Sequence, residues 1–167
     1  ELRTLRRFNR PWKIQDFLDT IPRNFAETHL SPRRVLREKR AHCFEGALLA
    51  AAALAVHGER PLLLDLRATP NDDDHVVALF RWRGYWGAIS KTNHAVLRYR
   101  DPIYRTIREL ALSYFHEYFL DSGRKTMRDY SRPFDLARPK FRGWATATDD
   151  LKWLADTLDA SPHTPIA

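Results

Sequence analysis

The run CFEGALLAAAALAV, Cys43 to Val56, constrains this chain more than any other stretch. Alanine is the strongest helix former, and the only β-branched residue in the run is its last, Val56. Glu45 is its only charge, so no polar stripe marks a solvent face, and such a helix is buried on most sides. His57-Gly58 ends it. The rest of the chain must therefore wrap this helix. With 167 residues the chain is expected to do so as a single domain, residues 1–167, free of repeats, low-complexity segments and linkers. The run is too short to span a bilayer, so no membrane partner is expected.

The flanking segments give the fold class. RPWKIQDFLDTIP reads as a short helix with Pro11 at its first position and Trp12, Ile14, Phe17, Leu18 and Ile21 turned inward. Ser31-Pro32 starts another helix in SPRRVLREKR. After the apolar run come PLLLDLRA, HVVALFRW and GYWGAIS, short stretches of β-formers. The last two read as a hairpin turning at Arg83-Gly84. DPIYRTIRELALSYFHEYF reads as one amphipathic helix, with Asp101-Pro102 as its cap and first residue and Ile103, Ile107, Leu110, Ala111, Tyr114, Phe115 and Tyr118 on one face. KFRGWAT is expected to be a strand, and TDDLKWLADTLD a terminal helix capped by Thr148. This order gives an α+β fold, a buried helix packed on a mainly antiparallel sheet with flanking helices.

Cys43, the chain's single cysteine, stands where a basic stretch meets the apolar run. One thiol excludes internal disulfides and cysteine-based zinc clusters. A nucleophilic cysteine needs a lowered pKa, a histidine to carry its proton, and a third group to orient the imidazole. The helix N-terminus and the arginines before it supply the first condition if a break precedes Cys43, though REKRAH holds no Gly or Pro to make one. If the helix instead runs unbroken from Pro32, Cys43 lies in its middle and is an inert core residue. Among seven histidines, His75 is best placed, heading a strand behind three aspartates that favour its protonated form. His42 adjoins Cys43 but points elsewhere, His116 is structural, His57 ends a helix, and His29, His94 and His163 fall in loops.

HCFEGALLAAAALAVHGERPLLLDLRA followed by DDDHVVALFRWRGYWGAIS resembles the core of the transglutaminase-like superfamily of papain-like cysteine enzymes. The resemblance covers Val35 to Ser90, with the domain core placed at about residues 32–120. Cys43 with Ala47, then His75, then Trp86 stand in the positions that the family pattern gives them. The resemblance implies a papain-like fold and a Cys-His-Asp triad. The expected aspartate, four residues after the tryptophan, is Ser90 here. A serine can hold an imidazole but cannot stabilise an imidazolium as a carboxylate does. Asn93 and Asp101 are the other candidates for the third position. The implied activity is thioester chemistry by Cys43, His75 and Ser90 on a peptide or carboxamide carbonyl, ending in hydrolysis or amine transfer. The implied partner is a peptide or protein amide substrate.

No cofactor and no metal is called for: the HExxH, Walker and GxGxxG patterns are absent. Asp72 to Asp74 reads as a solvated acidic turn, lacking EF-hand spacing. Glu45 is expected to answer a neighbouring arginine or to act in catalysis. The net charge of +7 is spread along the chain rather than massed in a block. It leaves a rival function, an inactive module binding nucleic acid or an acidic protein through Arg81, Trp82, Arg83, Tyr85 and Trp86. The lone cysteine and the lack of a visible signal peptide make the cytoplasm the expected location.

Overall fold

The computed structural model describes all residues, Glu1 to Ala167. Its elements in chain order are α1 (Leu2–Arg7), α2 (Pro11–Thr20), α3 (Pro32–Glu38), α4 (Cys43–Val56), β1 (Leu62–Arg67), β2 (His75–Trp82), β3 (Tyr85–Ile89), β4 (Arg100–Tyr104), α5 (Ile107–Phe115), β5 (Asp129–Ser131), β6 (Phe134–Asp135), α6 (Lys152–Asp159) and β7 (His163–Pro165). The fold is α+β. The strands form one sheet in the order β4-β3-β2-β1-β5-β7, with β6 also on β1, and every pairing is antiparallel. No helix is long and apolar enough to cross a membrane.

The sheet separates two apolar clusters, and strand alternation assigns residues to each. Leu63, Val76, Ala78, Phe80 and Ile89 face α4 and join it with α1 to α3 and α6. Leu64, Leu66, Val77, Leu79 and Ala88 face the other way, onto Leu110, Ala111 and Tyr114 of α5. The apolar run is the interior helix its composition demands: eleven of its residues, Phe44 to Leu54, are buried. Its alanines present little bulk, which lets α1, α2 and α3 close over it.

The break before Cys43 is made without Gly or Pro. Lys39 takes the left-handed conformation, φ 56° and ψ 40°, and its N–H still bonds Val35 O. That conformation costs a non-glycine residue about 1 kcal/mol. Ala41 then pairs with Arg23 in an isolated parallel bridge. Cys43 therefore opens α4 instead of lying inside a longer helix.

Arg83 and Gly84 form the two-residue hairpin turn, with φ of 50° and 88°, the positive pair that a type I′ turn requires. Several expectations fail at element ends. Asp101-Pro102 is not a helix start: both lie in β4, pairing with β3, and Thr106 caps α5 by accepting from Glu109 N. Ile103, expected on the buried helix face, is therefore on an outer strand and 67% exposed. KFRGWAT is no strand; a 3-10 turn over Pro139–Phe141 and further turns take its place. Thr148 does not cap α6, whose first N–H, from Lys152, goes to Asp150 Oδ1. On α2 only Trp12 departs from its expected inward place, being more than half exposed; Ile14, Leu18 and Ile21 are buried, Phe17 packs half-buried against the core, and Gln15 is buried with them.

Candidate functional site

Cys43 is the first residue of α4, so its backbone N–H has no intrahelical partner and lies at the positive end of the helix. Buried polar groups fix that end. Glu45, fully buried, accepts from His42 N at 3.0 Å, Leu30 N at 2.9 Å, Thr28 Oγ1 at 2.7 Å and Asn24 Nδ2 at 3.0 Å. Its partners are thus neither arginines nor the thiol: it is a post that ties the Asn24–Leu30 segment to the helix start. Gly46 lets the chain after β3 close in, since a Cβ there would stand 2.3 Å from Lys91 Cβ. Buried Lys91 in turn donates to Leu18 O (2.8 Å) and Ile21 O (2.6 Å), satisfying carbonyls at the end of α2.

His75 is the first residue of β2, and its ring shares a face with Val77 and Leu79, meeting Tyr114 edge-on at 6.4 Å between centroids. Its Nε2 lies 2.7 Å from Ser90 Oγ. The Ser90 hydroxyl donates its one proton to Leu97 O at 2.7 Å. It must therefore accept from His75, which places the imidazole proton on Nε2 and a lone pair on Nδ1. Gln15 clamps the same serine from α2, donating to Ser90 O (2.8 Å) and accepting from Ser90 N (2.9 Å). Nδ1 makes no hydrogen bond to another side chain, and the Leu97 carbonyl also lies against the ring of this buried histidine.

The thiol and the imidazole come to the same end of the sheet. Cys43 Sγ contacts Asp74 O at 3.8 Å and faces the Val76 N–H, the residues on either side of His75. Sγ has no hydrogen bond to His75 itself. Of the three candidates for the third position, only Ser90 touches the imidazole. Asn93 Oδ1 accepts from Arg23 Nη1, and Asp101 lies in β4, exposed.

Both groups rest uncharged. Burial pushes the His75 pKa down to about 4, against the Leu97 carbonyl that favours the protonated ring and with help from the charges of His94, Arg100 and Arg23. The aspartates before it do not hold it protonated: Asp74 spends Oδ1 on Ala68 N at 2.7 Å. Burial pushes the Cys43 thiol up, and the Asp65 charge adds to this, against the Val76 and Phe44 N–H groups that favour the thiolate.

Of the six remaining histidines, five have a polar contact at the ring and His94 is exposed. His29 pairs with Asp150, His42 contacts Thr28 O, His57 contacts Leu5 O, and His116 lies beside Lys125 Nζ. His163, expected in a loop, opens β7 and contacts the buried Asp65 at 3.1 Å. Asp65 escaped the sequence reading, although a lone acid inside the apolar strand LLLDLR is itself a signal. Two surface cavities, about 450 and 490 Å³, lie at the far end of the sheet around Leu79 to Trp82, and neither includes Cys43 or His75.

Compared with known proteins, the chain matches no family model and no curated protein.

Proposed function

We propose that this chain is a transglutaminase-like cysteine enzyme of papain-like architecture that attacks a peptide or carboxamide carbonyl through Cys43. One observation carries the reading: a thiol at the start of a buried helix lies against the backbone flanking a histidine whose Nε2–H is tied to Ser90 and whose Nδ1 makes no hydrogen bond to another side chain. A base with its lone pair held in one place is what thiol activation requires.

Because both groups rest neutral, proton transfer accompanies attack. Sγ bonds to the carbonyl carbon while the thiol proton passes to His75 Nδ1. The oxyanion is met by the Cys43 backbone N–H at the helix end. Collapse breaks the C–N bond, and Nδ1 returns the proton to the leaving amine, leaving a thioester. Water, or a second amine, then adds to the thioester, giving its proton to Nδ1 and finally to the departing sulfur. Ser90 keeps the imidazole oriented throughout but adds no countercharge to the transient imidazolium.

The test is acylation of Cys43 by p-nitrophenyl acetate, followed by mass spectrometry and by p-nitrophenol release between pH 5 and 9. The expected wild-type rate is flat from pH 6 to 8, because His75 is already an unprotonated base there. His75→Ala is expected to react slowly and to speed up with pH toward the ordinary thiol range, about 8.5. Wild-type and variant rates that coincide and climb together with pH would refute the reading.

A second reading has its own support. Trp82 and Tyr85 are exposed, Arg83 lies over the Trp82 ring at 5.9 Å, and Lys13 lies over the exposed Trp12 at 5.6 Å. Such cation-aromatic pairs are stacking platforms for single-stranded nucleic acid. Binding of a fluorescent oligonucleotide that weakens steeply with salt and is lost in Trp82→Ala would favour this module.

A further inference from the structure

We propose that Asp65, Asp74 and Asp159 bind a hard divalent cation of the calcium, magnesium or manganese class. They come from three separate elements: β1, the loop before β2, and the last turn of α6. One carboxylate oxygen from each lies within 4.8 Å of the other two.

Proximity of acids is common; the state of Asp65 is not. It is 2% exposed, held between Leu64 and Leu66. Its Oδ2 contacts His163 Nε2, but its Oδ1 is sealed from solvent with no hydrogen-bond partner. A carboxylate oxygen in that state retains its full desolvation penalty. The other two acids also keep an oxygen in hand. Asp74 commits Oδ1 to Ala68 N, and Asp159 commits Oδ1 to Arg67 Nη2 at 3.2 Å. The local countercharge is spent elsewhere: His163 engages Asp65 through Oδ2, and the Arg67 guanidinium is engaged with Asp159, Asp129 and His163.

The donors are all carboxylate oxygens, which select hard cations over zinc or copper. Asp159 is exposed, so it forms the mouth, where waters complete the coordination shell. His163, set by Ser161 O on its other nitrogen, steadies the Asp65 carboxylate, as outer partners of metal-bound carboxylates do. The acidic turn thus divides: Asp72 takes the Thr126 hydroxyl and the Asp73 N–H within the loop, and the Asp74 carboxylate meets Ala68 N and the other two acids. The site does not depend on the catalytic reading.

The test uses the full chain, stripped with chelator and titrated with Mn²⁺ by electron paramagnetic resonance and with Ca²⁺ by calorimetry. One saturable site is expected, with a rise in thermal midpoint on loading. Asp159→Asn, at an exposed position, is expected to weaken binding by about tenfold or more with the far-ultraviolet spectrum unchanged. Asp74→Asn is expected to do the same, and Asp149→Asn to bind as wild type. Absence of saturable binding up to about 10 mM, beyond the weakest extracellular calcium modules, would overturn the proposal. So would binding that both ligand variants leave intact.

Discussion

Burial of His75 in neutral form makes the stability of this protein depend on pH in a defined window. In the folded chain its pKa is about 4; in the unfolded chain an imidazole titrates near 6.5. As pH falls, the unfolded chain takes the proton first, so unfolding is favoured by protonation. The stabilisation is complete above about pH 6.5 and is lost as pH falls toward 4. Across the whole interval this is about 3 kcal/mol, at about 1.4 kcal/mol per pH unit. By pH 5 about 2 kcal/mol is already gone, a large share of the 5–15 kcal/mol typical of a domain. The assay is urea unfolding of chelator-treated protein at pH 8, 6.5, 5.5 and 5, for wild type and His75→Gln. Other histidines titrate in both proteins, so the difference between the two pH slopes isolates His75. The wild type is expected to lose about 2 kcal/mol more than the variant between pH 8 and 5. Equal slopes, or an NMR titration placing folded His75 near pH 6.5, would show that the imidazole is not held neutral by burial, and the uncharged resting pair would fall with it.

Other expectations concern the frame around the site. Gly46→Ala gains helix propensity but drives a methyl into Lys91 Cβ, so a net loss of about 1–3 kcal/mol is expected in urea unfolding. Lys91→Met leaves Leu18 O and Ile21 O without their donor; a loss of about 1–3 kcal/mol is expected, with faster amide exchange at the end of α2. Glu45→Ala removes the acceptor of four donors and is expected to be among the most destabilising single changes, about 3 kcal/mol or more, read from the thermal midpoint. Ser90→Ala frees the imidazole to change tautomer; it is expected to slow Cys43 acylation while leaving the far-ultraviolet spectrum unchanged.

Local chemistry that needs no partner was legible in the sequence. The alanine-rich helix, the Ser31-Pro32 start, the central strands and the Arg83-Gly84 turn all follow from propensity and punctuation, and each stands within a residue or so of its expected place. What failed depends on distant residues. The apolar spacing of Ile103 and Ile107 fits a helix, but β3 had an edge to pair, and Arg100–Tyr104 became β4. The break at Lys39 escaped because a left-handed lysine has no composition signal and is held by the Arg23–Ala41 bridge. At the site, the residue order singled out Cys43, His75 and Ser90 as candidates, and the fold sets them near one end of the sheet. The order did not disclose that burial would leave the pair uncharged, nor that Gln15, 75 residues away, clamps Ser90. Desolvation and long-range hydrogen bonds exist only once the chain is closed.

The two outermost strands, β4 and β7, have a consequence for solubility. An open antiparallel sheet presents a row of unpaired donors and acceptors along each border, and any extended chain can dock there. Pro102 lies in β4 beside the charged Arg100 and Asp101, and Pro165 closes β7. Proline has no N–H to offer, so each border strand carries fewer donors than a regular edge and is a poorer template for strand addition.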